Sequence, residues 1–318
     1  MIVVEDTLKE LIKQISNELT LKNHQVQNVI QMLQEGNTVP FIARYRKEMT
    51  GSLDEVQIRS IMERWNYLEN LGQRKAEVTR SIGEQGKLTE ELTKQIEKAT
   101  KLQEVEDLYR PFKQKRRTKA TVAKEKGLEP LANWLLECQM HPRVSEKAAE
   151  FISAEKEVPS IEEAIAGAQD IIAEHISDDA ELRKWIRAEI FKAGKVVSTV
   201  KNEEKDEKKI FEMYYEYEEP VQRIVPHRVL ALNRGEKEEV LRISIQPRTE
   251  VIIGHLERKI IKNNKSEAQV VLKSAIEDGL KRLIMPSVER EIRKELTEKA
   301  EDQAIHIFSE NLRNLLLQ

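Results

Sequence analysis

Apolar residues recur along this chain at the three-and-four spacing of an α-helix. Leu8, Leu11, Ile12, Ile15 and Leu19 share one helical face, and Thr7 with Glu10 offers a capping box at its start. Val26, Val29, Ile30 and Leu33 predict a second helix that stops near Gly36. Ser52 with Glu55 predicts the start of another, running through Val56, Ile61, Met62, Trp65 and Leu68. Leu88, Leu92, Ile96, Ala99, Leu102 and Val105 carry a further stripe that ends near Pro111. From Gly127 to Gly194 the predicted helices shorten, divided at residues 141–145, 158–160 and 177–179, with Ser160–Glu163 and Asp178–Glu181 as capping boxes.

Alternation of apolar and polar positions is rare. Residues 240–245 (VLRISI) give the best strand signal and 195–200 (KVVSTV) a weaker one. Residues 203–219 hold eight acids against three lysines, together with Tyr214, Tyr215 and Tyr217, and read as a solvated helix or a linker. A helical pattern then runs to Met285, breaks at Pro286 and resumes through Ile292, Leu296, Ile307, Phe308, Leu312 and Leu315. The closing NLRNLLLQ crowds leucines into the last turns, and such an apolar end is expected to continue into chain that covers it. The pattern as a whole predicts a mainly α protein with minor β. The expected organisation is one discontinuous helical domain from 1–119 with 201–318, and a helix-turn-helix-like helical subdomain at 120–200.

Composition narrows the function classes. Of 318 residues 34% are charged and 5% aromatic, with 11 glycines and 9 prolines, which suits long solvated helices better than a β-sandwich or a glycine-rich α/β enzyme. A single cysteine, Cys138, excludes an internal disulfide and any multi-cysteine metal site, and fits a reducing, cytoplasmic setting. The N-terminus lacks the pattern of a signal peptide, and no apolar run approaches the ~20 residues of a membrane span. Phosphate-binding, dinucleotide-binding, zinc-protease and nucleophile-elbow motifs are absent, and the six histidines form no i, i+4 pair. The expectation is therefore no catalytic residue, no metal and no cofactor.

Against a net charge of −3, two basic-aromatic segments stand out. Residues 40–51 (PFIARYRKEMTG) place Arg44, Arg46 and Lys47 beside Phe41 and Tyr45. Residues 109–120 (YRPFKQKRRTKA) bring together Arg110, Lys113, Lys115, Arg116, Arg117 and Lys119, six cations in ten residues with no acid. Cations neutralise phosphate and aromatics stack on unpaired bases. The competing reading makes Phe41, Tyr45 and Phe112 core anchors, which is the preferred reading for those three, and lets the cations snorkel or pair with neighbouring acids. A third segment, 226–236 (PHRVLALNRGE), reads as a short helix capped by Gly235, whose Arg228 and Arg234 are candidates for phosphate or for the carboxylates of a neighbouring helix, the structural role being preferred.

These three segments, VPFIARYRKEMTG, DLYRPFKQKRRTKATVAKEKGLEPLA and PHRVLALNRGE, in this order, resemble the hallmark stretches of the bacterial Tex family of transcription accessory proteins. The resemblance covers essentially the whole chain. It implies a modular nucleic-acid-binding protein of transcription, here its N-terminal helical portion, with RNA the expected ligand and DNA the other candidate. RNA polymerase or ribosome-associated machinery would be its protein partners. The family's RNase H-like, helix-hairpin-helix and OB-fold RNA-binding domains have no counterpart in this sequence. Two functions stay open: direct contact with nucleic acid through the basic segments, or a scaffold that docks transcription machinery without touching nucleic acid.

Overall fold

A computed structural model describes residues 2–114, 116–137, 143–262 and 267–316, except the side chains of residues 2–7. The protein is mainly helical with one small sheet, and it divides into two compact units, Met1–Tyr109 and Arg110–Gln318.

The first unit is entirely helical: α1 (Ile2–Leu19), α2 (Asn23–Gln34), α3 (Val39–Tyr45), α4 (Lys47–Thr50), α5 (Glu55–Glu84), α6 (Glu90–Lys98) and α7 (Leu102–Tyr109). The 30-residue α5 is its spine. Ile58, Ile61, Trp65, Leu68, Leu71, Val78 and Ile82 form a buried stripe along it, against which α1, α2, α3 and α7 pack. The helix starts two residues later than the sequence pattern predicts. Asp54 is the N-cap, accepting from the Gln57 N–H at 2.8 Å, and Ser52 sits before it with a positive φ of 64°. Likewise Thr7 is no cap, because α1 already runs through it from Ile2. Arg64 grips Glu18 with two N–H donors, at 2.5 and 2.8 Å, tying α5 to the end of α1 and holding the Glu18 carboxyl below its ordinary range.

The second unit contains α8 (Lys119–Glu125), α9 (Glu129–Glu137), α10 (Val144–Ala149), α11 (Ile161–Asp178), α12 (Ala180–Ala193), β1 (Lys195–Val200), β2 (Glu216–Pro220), α13 (Pro226–Lys237), β3 (Leu241–Gln246), α14 (Thr249–Ile260), α15 (Ala268–Asp278) and α16 (Met285–Leu316). The strands form an antiparallel sheet in the order β2-β1-β3, with Val197 opposite Glu218 on one side and Ser244 on the other. Residues from α8 through α12 share one hydrophobic core with the sheet and with α13–α16, so 120–200 and the chain after it are packed together. Ser160 caps α11 as the sequence predicts, while α12 is capped by Asp179 rather than Asp178.

Three local expectations give way to physical detail. The acidic stretch is neither a helix nor a free linker. It folds as two 3₁₀ turns (Glu203–Lys205 and Glu212–Tyr214) that lead into β2, organised around the buried Asp206. Burial opposes the Asp206 charge, but the backbone N–H groups of Phe211 (2.7 Å) and Ile210 (2.8 Å) and the Tyr215 hydroxyl (3.1 Å) outweigh it and hold the carboxyl below its usual range. Pro286 does not break the helix. A π-helical turn, Gly279–Ile284, widens the backbone just before α16, and the helical chain runs on through Pro286 without interruption. Gly235 does not cap α13 but lies buried inside it. A Cβ there would meet Leu241 Cδ1 at 2.5 Å and Phe211 Cδ1 at 3.1 Å, so the missing side chain is what allows α13 onto β3.

On α12 the guanidinium of Arg183, fully buried, donates to Glu291 Oε1 of α16 at 2.6 Å and to Ser287 Oγ at 3.0 Å. Arg187 donates to the other oxygen of the same carboxylate at 2.8 Å. Two arginines on one glutamate fix the path of α16 across the unit. Among the described residues no helix is long and apolar enough to cross a membrane.

Candidate nucleic-acid interface

The two basic segments lie in different units, and each is built differently. In the first unit, Thr38 and Pro40 start α3, whose buried face is Val39 and Ile42. Phe41 and Tyr45, four residues apart, therefore project from the opposite side. Phe41 is 36% exposed and Tyr45 66% exposed, so the core-anchor reading of these two rings is wrong. The signal that corrects it lies in the sequence: on so short a helix, Val39 and Ile42 already use up the buried face. The rings pack on each other with centroids 5.2 Å apart, tilted by 45°. Helical geometry breaks at Arg46 (φ −127°, ψ 24°), the chain turns into α4, and the Arg46 guanidinium comes to lie over the Phe41 ring at 5.4 Å. Arg44, Arg46 and Lys47 are all exposed, and among the described residues no ion pair engages them.

The end of α4 is pinned from behind. Asn28 of α2 donates to the Met49 carbonyl at 2.6 Å and Gln25 donates to the Thr50 carbonyl at 3.0 Å. Gly51 then takes the left-handed conformation (φ 64°) that turns the chain toward α5. The patch is thus a fixed surface rather than a loose loop.

The denser block, 110–119, is part brace and part open loop. Tyr109 belongs to the first unit, where its hydroxyl meets Ser81 Oγ at 3.0 Å and Arg74 covers its ring at 5.4 Å. Arg110 begins the second unit and faces Asp178, which is 10% exposed, at 3.4 Å. Phe112 is half-buried. At the far end Thr118 caps α8, accepting from Thr121 N–H at 3.0 Å and donating to Glu174 at 3.1 Å. Arg117 is exposed but meets Glu125 at 2.8 Å. Lys113, Arg116 and Lys119 are exposed to solvent. Lys115 lies outside the described residues, as do Cys138 and His141. Arg110 is therefore an internal tie, and Lys113, Arg116 and Lys119 are the open cations of the block.

Arg228 and Arg234 hold the structural roles expected of them. Arg228 pairs with Glu219 at 2.8 Å, and Arg234 pairs with Glu238 at 2.7 Å while lying over the Phe211 ring. Among the described residues no group of three or more histidine, cysteine, aspartate or glutamate side chains is placed to hold a metal ion.

Residues 139–308 match the family described as Tex central region-like, and residues 9–83 match the Tex-like protein N-terminal domain. The chain belongs to the Tex family. Among its Tex-family relatives, YdcI of Bacillus subtilis (strain 168) is 59% identical over 314 residues, covering 98% of this chain and 44% of that protein. The protein named transcriptional accessory protein Tex of Neisseria gonorrhoeae is 38% identical over 314 residues, 95% of this chain and 40% of the relative. S1 RNA-binding domain-containing protein 1 of Homo sapiens is 29% identical over 323 residues, 97% of this chain and 32% of the relative. The chain thus spans less than half the length of these relatives.

Proposed function

We propose that this chain is the N-terminal region of a cytoplasmic transcription accessory protein and that it contacts nucleic acid, RNA before DNA, without catalysing a reaction on it. The observation that carries this reading is the set of exposed cations without an ion-pair partner among the described residues: Arg44, Arg46 and Lys47 in one unit, and Lys113, Arg116 and Lys119 in the other. Exposed arginines such as Arg59, Arg143 and Arg234 meet a carboxylate, whereas residues 40–51 and 110–119 together carry nine cations against the single acid Glu48. Cations without an ion-pair partner are available to phosphate, and each contact releases counterions. The names of the Neisseria and human relatives, one for transcription and one for RNA binding, agree with the reading.

The test is a salt titration of binding to a single-stranded RNA. Replacing Lys113, Arg116 and Lys119 by alanine should weaken binding and flatten the dependence of log K on log salt by about 0.7 per lost phosphate contact. Replacing Arg44, Arg46 and Lys47 should do the same. Unchanged affinity and slope in both triple variants would remove the proposal.

A second reading, the docking scaffold, is favoured by a separate observation. Ile305, Phe308, Leu312 and Leu315 repeat at helical spacing on α16 and are 65%, 67%, 44% and 70% exposed. On this reading Phe308→Glu with Leu315→Glu would abolish binding to purified RNA polymerase in nuclease-treated samples, while RNA affinity stays as it was. Polymerase binding that is absent in the parent chain, or unaffected by the change, would dismiss it.

A further inference from the structure

We infer that the α3–α4 element is a stacking platform for unpaired nucleotides, so that this unit selects single strands over duplex. The inference rests on the nucleic-acid reading above and narrows its ligand. Three observations combine. Tyr45 presents a ring that is 66% exposed, beside Phe41, on a helix whose other face is buried. An open aromatic face of this kind is costly in water, and a base can cover it only when that base is not already stacked within a helix. Around the rings, residues 40–51 carry three cations, Arg44, Arg46 and Lys47, against the single acid Glu48. That charge suits a phosphate backbone running past the platform and does not suit a basic or a purely apolar partner helix. Finally the surface is preorganised. Arg46 lies over one side of Phe41, and the carbonyls of Met49 and Thr50 are held by Asn28 and Gln25, so little order remains to be imposed on binding.

The division of labour follows from position. Tyr45 offers the free ring face on which a base stacks. Phe41, fixed between Tyr45 and Arg46, keeps that ring in place. The cations supply attraction that does not depend on sequence. Since every base has a π-face, the platform is tolerant of sequence and of RNA against DNA.

The experiment measures fluorescence anisotropy of the full chain with a labelled 12-nucleotide oligo-uridine and with a labelled 12-base-pair duplex, across a salt series. The parent chain should prefer the single strand. Phe41→Ala with Tyr45→Ala should lower single-strand affinity about ten- to a hundredfold, leaving duplex affinity and the salt slope unchanged. Tyr45→Trp should bind the single strand at least as tightly as the parent, and the fluorescence of the introduced tryptophan should be quenched by the oligonucleotide. Both rings are on the surface, so these variants are expected to keep the parent's circular dichroism spectrum. Undiminished single-strand binding by the double alanine variant would overturn the platform. So would an equal loss on duplex. If the cation variants lower the salt slope while the ring variants do nothing, phosphate contact stands and the platform falls. If the parent chain binds neither probe, both readings fall, and the exposed rings belong to a protein contact.

Discussion

At the scale of single residues, the sharpest chemistry in the protein belongs to two tyrosines outside the basic segments. Tyr215 donates to Asp206 and Tyr217 donates to Glu219, and each phenol is pushed up to about 12, by burial first and by its carboxylate partner next. A phenol whose pKa is higher folded than unfolded adds stability that is fully present below its ordinary value near 10 and is lost as pH rises through 12. The protein should therefore resist alkali up to about pH 10 and weaken between 10 and 12. Absorbance at 295 nm should show a late-ionising component from Tyr215 and Tyr217, and Tyr215→Phe should reduce it. A folded protein whose Tyr215→Phe variant shows the same absorbance change above pH 10 as the parent would contradict this. Asp206 works in the opposite direction. Its lowered pKa gives stability that is present above the normal carboxylate range and lost as pH falls through the folded value.

At the scale of elements, the helices are legible in the sequence because a 3.6-residue apolar period is a direct image of a buried stripe. Ile61, Trp65 and Leu68 mark the inner face of α5 by their spacing alone, and β1 and β3 follow from short alternating runs. What escapes the pattern is decided by one or two tertiary contacts. A cap at Asp54 rather than Ser52 depends on which residue has room to turn, and the positive φ of Ser52 puts it outside the helix. The acidic stretch looks solvated when its charge is counted residue by residue. The backbone donors that make a buried Asp206 affordable lie four and five residues away and have no sequence signature. Pro286 looks like a stop because the widened turn that precedes it is invisible in composition. The candidate interface is legible as a cluster of charge, but not in its division into tie and open loop. Arg110 faces Asp178, 68 positions away in sequence, and only the fold reveals that neighbour. Phe41 and Tyr45 mislead for the opposite reason: aromatic residues are buried by default, and here Val39 and Ile42 have already filled the face that packs.

At the scale of the whole molecule, the division into two units makes the basic block a boundary as well as a binding candidate. Tyr109 is anchored in the first unit by Ser81 and Arg74, and Arg110 in the second by Asp178. Thr118 and its cap on α8 close the segment at the other end. Between them Lys113, Arg116 and Arg117 sit on irregular, exposed backbone, which is what a protease requires. Residues 201–209 hold four lysines, but Lys201, Lys205 and Lys209 are tied down by Glu239 and Glu212, and the backbone beside Lys208 is held in the turn around Asp206. Limited trypsin digestion should therefore cut first between Lys113 and Lys119. It should leave two products, read by mass spectrometry, that each unfold cooperatively in urea because each keeps its own core. A first cut within 201–209, or an N-terminal product without a cooperative transition, would contradict the division. The same digestion links fold to function. If the open cations of the block grip phosphate, saturating single-stranded RNA should slow cleavage there several-fold while leaving the cleavage of an unrelated tryptic substrate unchanged. Equal rates with and without RNA would mean that the block joins the two units without holding the strand, and that any grip on nucleic acid lies with Arg44, Arg46 and Lys47.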